Sequence, residues 1–144
     1  MKVFSLIILI TLSLVAPFST AKTENECITE FTHSYFSWLK NIVRNSNNGT
    51  FEEYMSAEKA KYEELLTFIN EFDTETCSEH NKTQITDLYN ETLKMRDLHK
   101  QLYLEAKRGS VKVMNKKTRE TRTKYKMYSS KFVKDLRRQT GIQW

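Results

Sequence analysis

Beyond Pro17 the chain contains no proline, and its three glycines, Gly49, Gly109 and Gly141, each stand at the end of a long stretch with helical patterning. Proline and mid-element glycine are the residues that most disfavour a helix interior. A chain punctuated in this way reads as long helices joined by short turns. It holds no Gly-rich phosphate loop, no internal repeat and no low-complexity tract.

The spacing of apolar residues predicts four helices. The first should span about 24–45, opened by the capping-box spacing of Thr23 and Glu26, with a stripe of Ile28, Phe31, Tyr35, Trp38, Leu39 and Ile42. Asn45 to Gly49 reads as a turn. The second, about 51–72, begins after a capping box of Thr50 and Glu53 and carries Phe51, Met55, Tyr62, Leu65, Leu66, Ile69 and Phe72. Polar residues from Asp73 to Asn81 should form the next connection. The third helix, about 83–108, has a seam of Ile85, Leu88, Thr92, Met95, His99, Leu102 and Ala106, three and four apart. Its phase is lost at Gly109, so a break is expected there. The fourth, about 110–140, carries Val111, Met114, Thr118, Thr121, Tyr125, Tyr128, Phe132 and Leu136 in one sector, with Gly141 as its cap. The expected fold is all-α, an antiparallel four-helix bundle.

Residues 1–21 read as a cleaved secretory signal peptide. Lys2 is a minimal positive region, VFSLIILITLSLVAPF is an apolar core too short for a comfortable membrane span, and Ser19-Thr20-Ala21 places small residues at a cleavage site. No second apolar run of spanning length follows, so residues 22–144 are expected to form one secreted domain without a transmembrane helix. In an oxidising compartment Cys27 and Cys77 are expected to pair, which requires the second helix to stop near Phe72 so that 73–77 bends back toward Cys27. Asn48, Asn81 and Asn90 each open an Asn-X-Thr sequon, and all three positions are expected to be accessible to N-glycosylation.

The residues offer little catalytic chemistry. His33, His80 and His99 form no paired-ligand motif, and the acids Glu52, Glu53, Glu63 and Glu64 read as a solvated helix face. No metal or cofactor is implied, and the chain is expected not to be an enzyme. His99, on the seam of the third helix, reads as a hydrogen-bonded core histidine.

Charge is the feature that points to a partner. From Lys107 to Arg138 the chain has thirteen Lys or Arg against two acids, Glu120 and Asp135, whereas 22–106 has nine basic and sixteen acidic residues. An acidic body therefore carries a basic last helix. Its candidate anion- or partner-binding residues are Lys112, Lys116, Lys117, Arg119, Arg122, Lys124, Lys126, Lys131, Lys134, Arg137 and Arg138. Tyr125 and Tyr128 occupy the apolar sector and are unavailable for base stacking, so nucleic acid is not the expected target. The expected function is that of an extracellular interaction protein, binding a protein, a sulfated glycan or an anionic membrane surface. The alternatives weighed are a carrier of a small fatty or aromatic ligand in the bundle core, and compensation of the basic helix by the acidic body.

Overall fold

The computed structural model describes residues 22–44, 49–109 and 115–143. The signal segment 1–21, the turn 45–48 with Asn48, and 110–114 with Val111, Lys112 and Met114 lie outside the described residues. Four helices and no strand are present among the described residues: α1 (Glu24–Arg44), α2 (Phe51–Glu71), α3 (Glu79–Lys107) and α4 (Lys116–Thr140).

Local chemistry accounts for the helix ends. At α1, Thr23 N–H donates to Glu26 Oε2 at 2.6 Å and Glu26 N–H donates to Thr23 Oγ1 at 3.2 Å, a reciprocal cap. This binding to backbone and side chain of Thr23 lowers the Glu26 pKa. Thr50 and Glu53 cap α2 in the same way. Gly109 and Gly141 have φ of 69° and 70°, the left-handed conformation that stops a helix without a Cβ penalty. The expected break at Gly109 is therefore present.

Two helix starts differ from the sequence reading. α3 begins at Glu79 rather than near Thr83, because Ser78 caps it by accepting from Asn81 N–H at 3.2 Å. α4 begins at Lys116 rather than near Ser110. Asn115 has extended backbone, and its side chain accepts from Thr118 N–H at 2.9 Å, so it closes the helix on its N-terminal side.

The hydrophobic core joins Cys27, Ile28, Phe31, Tyr35, Phe36 and Trp38 of α1 to Leu65 and Ile69 of α2, Ile85 and Leu88 of α3, and Phe132 and Leu136 of α4. It is concentrated near the Cys27–Cys77 disulfide, whose Cα atoms are 5.3 Å apart. The bend after Phe72 forms as expected, with Asp73 Oδ1 accepting from Glu75 N–H at 2.9 Å. Ile142 packs against the same cluster beyond Gly141.

The packing partners of α1 were not legible in its stripe. Backbones approach most closely between α2 and α3, then between α3 and α4 and between α1 and α4. α1 reaches α2 through the disulfide and through large rings, Phe31 meeting Phe68 at 5.3 Å and Phe72 at 5.1 Å. Side chains of that size hold helix axes apart.

Candidate functional site

Helix α4 presents two faces. Thr118, Phe132 and Leu136 are buried, and Thr121, Tyr125 and Tyr128 are half-buried beside them. This is the apolar sector expected from spacing. On the opposite arc Lys116, Lys117, Arg119, Lys124, Lys126, Lys131, Lys134 and Arg138 are all exposed. At 100° per residue, Lys116, Lys117, Lys124, Lys131, Lys134 and Arg138 fall within about 100° of arc and along about 33 Å of helix. Met127, 69% exposed, lies within that arc. Lys116, Arg119, Glu120, Thr123 and Lys124 line an open groove of about 470 Å³ at the start of the helix.

Two of the candidate cations turn toward the body instead. Arg122 is half-buried and donates from Nη2 to the Tyr54 hydroxyl at 3.4 Å. Arg137 lies with its guanidinium 5.9 Å from the centre of the Phe36 ring. Lys112 lies outside the described residues.

The pairing of acids bears on what the cationic arc can do. Lys116–Glu120 at 3.9 Å and Arg138–Asp135 at 3.1 Å are ion pairs within α4. In the body, Glu58 pairs with Lys61, Glu63 with Lys59, Glu79 with Lys82 and Glu91 with Lys94, each along its own helix. Among the described residues, Lys117, Arg119, Lys124, Lys126, Lys131 and Lys134 have no carboxylate within ion-pair distance.

The sequons separate on burial. Asn90 is exposed on α3. Asn81 is not the accessible loop residue its sequence context suggests. It sits in the first turn of α3, 6% exposed, with Oδ1 buried and without a hydrogen-bond partner. The capping of α3 by Ser78 draws it into the helix, a shift that the Ser78–Glu79 pair alone does not announce.

The histidines and acids take separate positions. His33 and His80 are exposed and His99 is buried. Glu53 caps α2 and Glu63 pairs with Lys59. His99 Nδ1 lies 2.8 Å from the Met95 carbonyl, which requires the tautomer donating from Nδ1. Its other nitrogen, Nε2, is buried without a partner. No group of three His, Cys, Asp or Glu among the described residues is placed to hold a metal ion, and no described helix is long and apolar enough to cross a membrane.

A second feature is a pocket between α1, α2 and α4 that is partly open to the surface. It holds about 140 Å³ and is walled by Tyr35, Trp38, Leu39 and Ile42 of α1, by Glu58, Lys61 and Tyr62 of α2, and by Tyr125 and Ser129 of α4. Burial raises the hydroxyl pKa of Tyr35, Tyr62, Tyr125 and Tyr128, so all four are neutral at ordinary pH. Helical spacing places these tyrosines on apolar stripes and does not reveal which rings of other helices they meet. No protein-family model matches the chain, and neither a curated protein nor a solved structure matches it significantly.

Proposed function

We propose that the protein is a secreted, glycosylated, non-enzymatic interaction protein that binds an extracellular polyanion or acidic protein surface through the exposed face of α4. The helices are read as an antiparallel bundle after removal of the 1–21 signal peptide. Gln139 near the end of α4 donates to Gln84 near the start of α3 at 3.0 Å, and the disulfide joins the start of α1 to the connection after α2, both in keeping with that arrangement.

One observation carries the reading: six exposed cations of α4 lack a carboxylate partner while Glu58, Glu63, Glu79 and Glu91 pair along their own helices. Internal compensation would have brought carboxylates of the body within ion-pair distance of these six cations, and among the described residues none is. The unpaired Lys117, Lys124, Lys131 and Lys134 lie on one arc along about 26 Å of helix, a stiff row that suits a linear or planar array of negative charge, whose attraction is long-ranged and weakened by salt. A heparin column tests it. The protein should be retained beyond a control of equal net charge, and Lys124→Gln, Lys131→Gln and Lys134→Gln together should lower the eluting salt. Elution with the control at physiological salt, or an unchanged profile in the triple variant, would overturn the polyanion reading.

A further inference from the structure

We propose that the peptide bond between Arg108 and Gly109 is a processing site for a trypsin-like serine protease selective for pairs of basic residues, and that its hydrolysis severs α4 from the rest of the chain.

The reaction is a hydrolysis. Water adds across the Arg108–Gly109 amide, leaving a carboxylate on Arg108 and an amino group on Gly109. Such an enzyme seats the basic side chain that precedes the scissile bond against an acidic group at the base of its pocket. It takes its substrate extended, so a helix interior, with its backbone bonded to itself, is closed to it until that segment opens. Among the described residues every Lys and Arg lies within a helix except Lys22, before α1, and Arg108, just past the end of α3. Arg108 is also the second member of a basic pair, Lys107-Arg108. The other two pairs, Lys116-Lys117 and Arg137-Arg138, lie within α4.

The end of α3 is built to open at low cost. Lys107, Arg108 and Gly109 are exposed, no residue from 103 to 109 is buried, and Leu104 is 42% exposed. The Arg108 N–H is shared between the Leu104 and Glu105 carbonyls at 3.3 and 3.2 Å, and the Gly109 N–H donates to the Ala106 carbonyl at 2.9 Å. Unwinding this last turn breaks a few backbone bonds and uncovers no core, the condition in which exposed segments are nicked.

The disulfide decides the consequence. Cys27 and Cys77 both precede the cut and the chain has no other cysteine, so α1, α2 and α3 stay one covalent unit that does not include α4. The cut parts eleven basic and sixteen acidic residues in 22–108 from eleven basic and two acidic residues in 109–144. The basic helix is then held to the acidic body by packing, with Phe132 and Leu136 in the shared core, and no longer by the chain. The site is independent of what the cationic arc binds.

The test exposes the folded, disulfide-intact protein to trace trypsin and, separately, to kexin, a serine protease that cuts after Lys-Arg pairs. Intact mass and N-terminal sequencing follow the first products. Both enzymes should cut first between Arg108 and Gly109, giving fragments that part on a denaturing gel without reductant. With kexin, Lys107→Gln and Arg108→Gln should each leave the chain whole over the time that cuts the native protein completely, with thermal melting unchanged. Lys107→Gln should leave the trypsin cut in place. A first cut after Arg44, which lies inside the disulfide loop and leaves fragments joined until reduction, would overturn the proposal. So would a first cut after Lys112 or within α4, or cleavage only at urea concentrations that unfold the whole protein.

Discussion

The His99 imidazole stacks on the Tyr62 ring, centroids 5.2 Å apart, joining the middle of α3 to the middle of α2. His99 is wholly buried, and that burial holds its pKa below the ordinary imidazole value. The Met95 carbonyl and Glu58 oppose the shift, while Arg122 and Lys61 reinforce it.

A pH dependence of stability follows from this contact. Because the folded pKa lies below the unfolded one, the unfolded chain takes up the proton first as pH falls. The contribution of neutral His99 is complete above about pH 6.5 and shrinks as pH drops through that value toward the folded pKa. Thermal melts should show the midpoint falling between pH 7.5 and 5. His99→Phe, which keeps a ring against Tyr62, should flatten that slope. Parallel slopes in the two proteins would assign the effect to other groups.

Burial predicts opposite outcomes for two phenylalanines that share helical patterning. Phe31 is fully buried and meets Phe68, Phe72 and Phe132. Phe31→Ala should cost about 3–5 kcal/mol in urea denaturation. Phe51 is 42% exposed at the first position of α2, and Phe51→Ala should cost about 1 kcal/mol or less.

The Cys27–Cys77 bridge closes a loop with a sequence separation of 50. In the chain-entropy model such a closure is worth about 4 kcal/mol. The Cys27→Ala/Cys77→Ala double variant should lose about that much in the same denaturation experiment, and reduction of the native protein should match it.

Glycan occupancy should follow exposure. Asn90 stands in solvent on α3, while Asn81 is held in the first turn with its carbonyl oxygen enclosed. A glycan on Asn81 would have to displace the packing around it, so intact mass and glycopeptide analysis of protein from a secretory host should find Asn90 occupied and Asn81 bare. Asn90→Gln should remove one glycan, and Asn81→Gln none. Full occupancy of Asn81 in folded material would show that this turn opens more readily than its burial implies.

Much of the helical architecture was legible because burial on a helix is periodic. Ile85, Leu88, Thr92, Met95, His99 and Leu102, chosen by spacing alone, are the residues α3 buries besides Asn81. Caps at Thr23 and Thr50, the stops at Gly109 and Gly141, and the approach of Cys77 to Cys27 rest on local backbone chemistry and on chain length, so they too could be read directly. The exposed side of α4 was visible as a charge pattern, but not which cations would turn inward. Arg122 reaches Tyr54 and Arg137 covers Phe36 because of residues far away in the chain.

What the amino-acid order determined by itself was helix content, the buried stripes and the disulfide, all properties of one segment or of a segment and its reach. Tertiary structure decided the rest. Ser78 and Asn115 became the caps of α3 and α4, Phe36 and Thr32 became buried outside the expected stripe, and three tyrosines from three helices were gathered around one pocket. Periodicity reports which way a side chain faces from its own helix axis. It carries no information about which side chains of other helices it will meet, and that meeting is what makes a pocket, orphans an indole N–H or leaves a row of lysines in solvent.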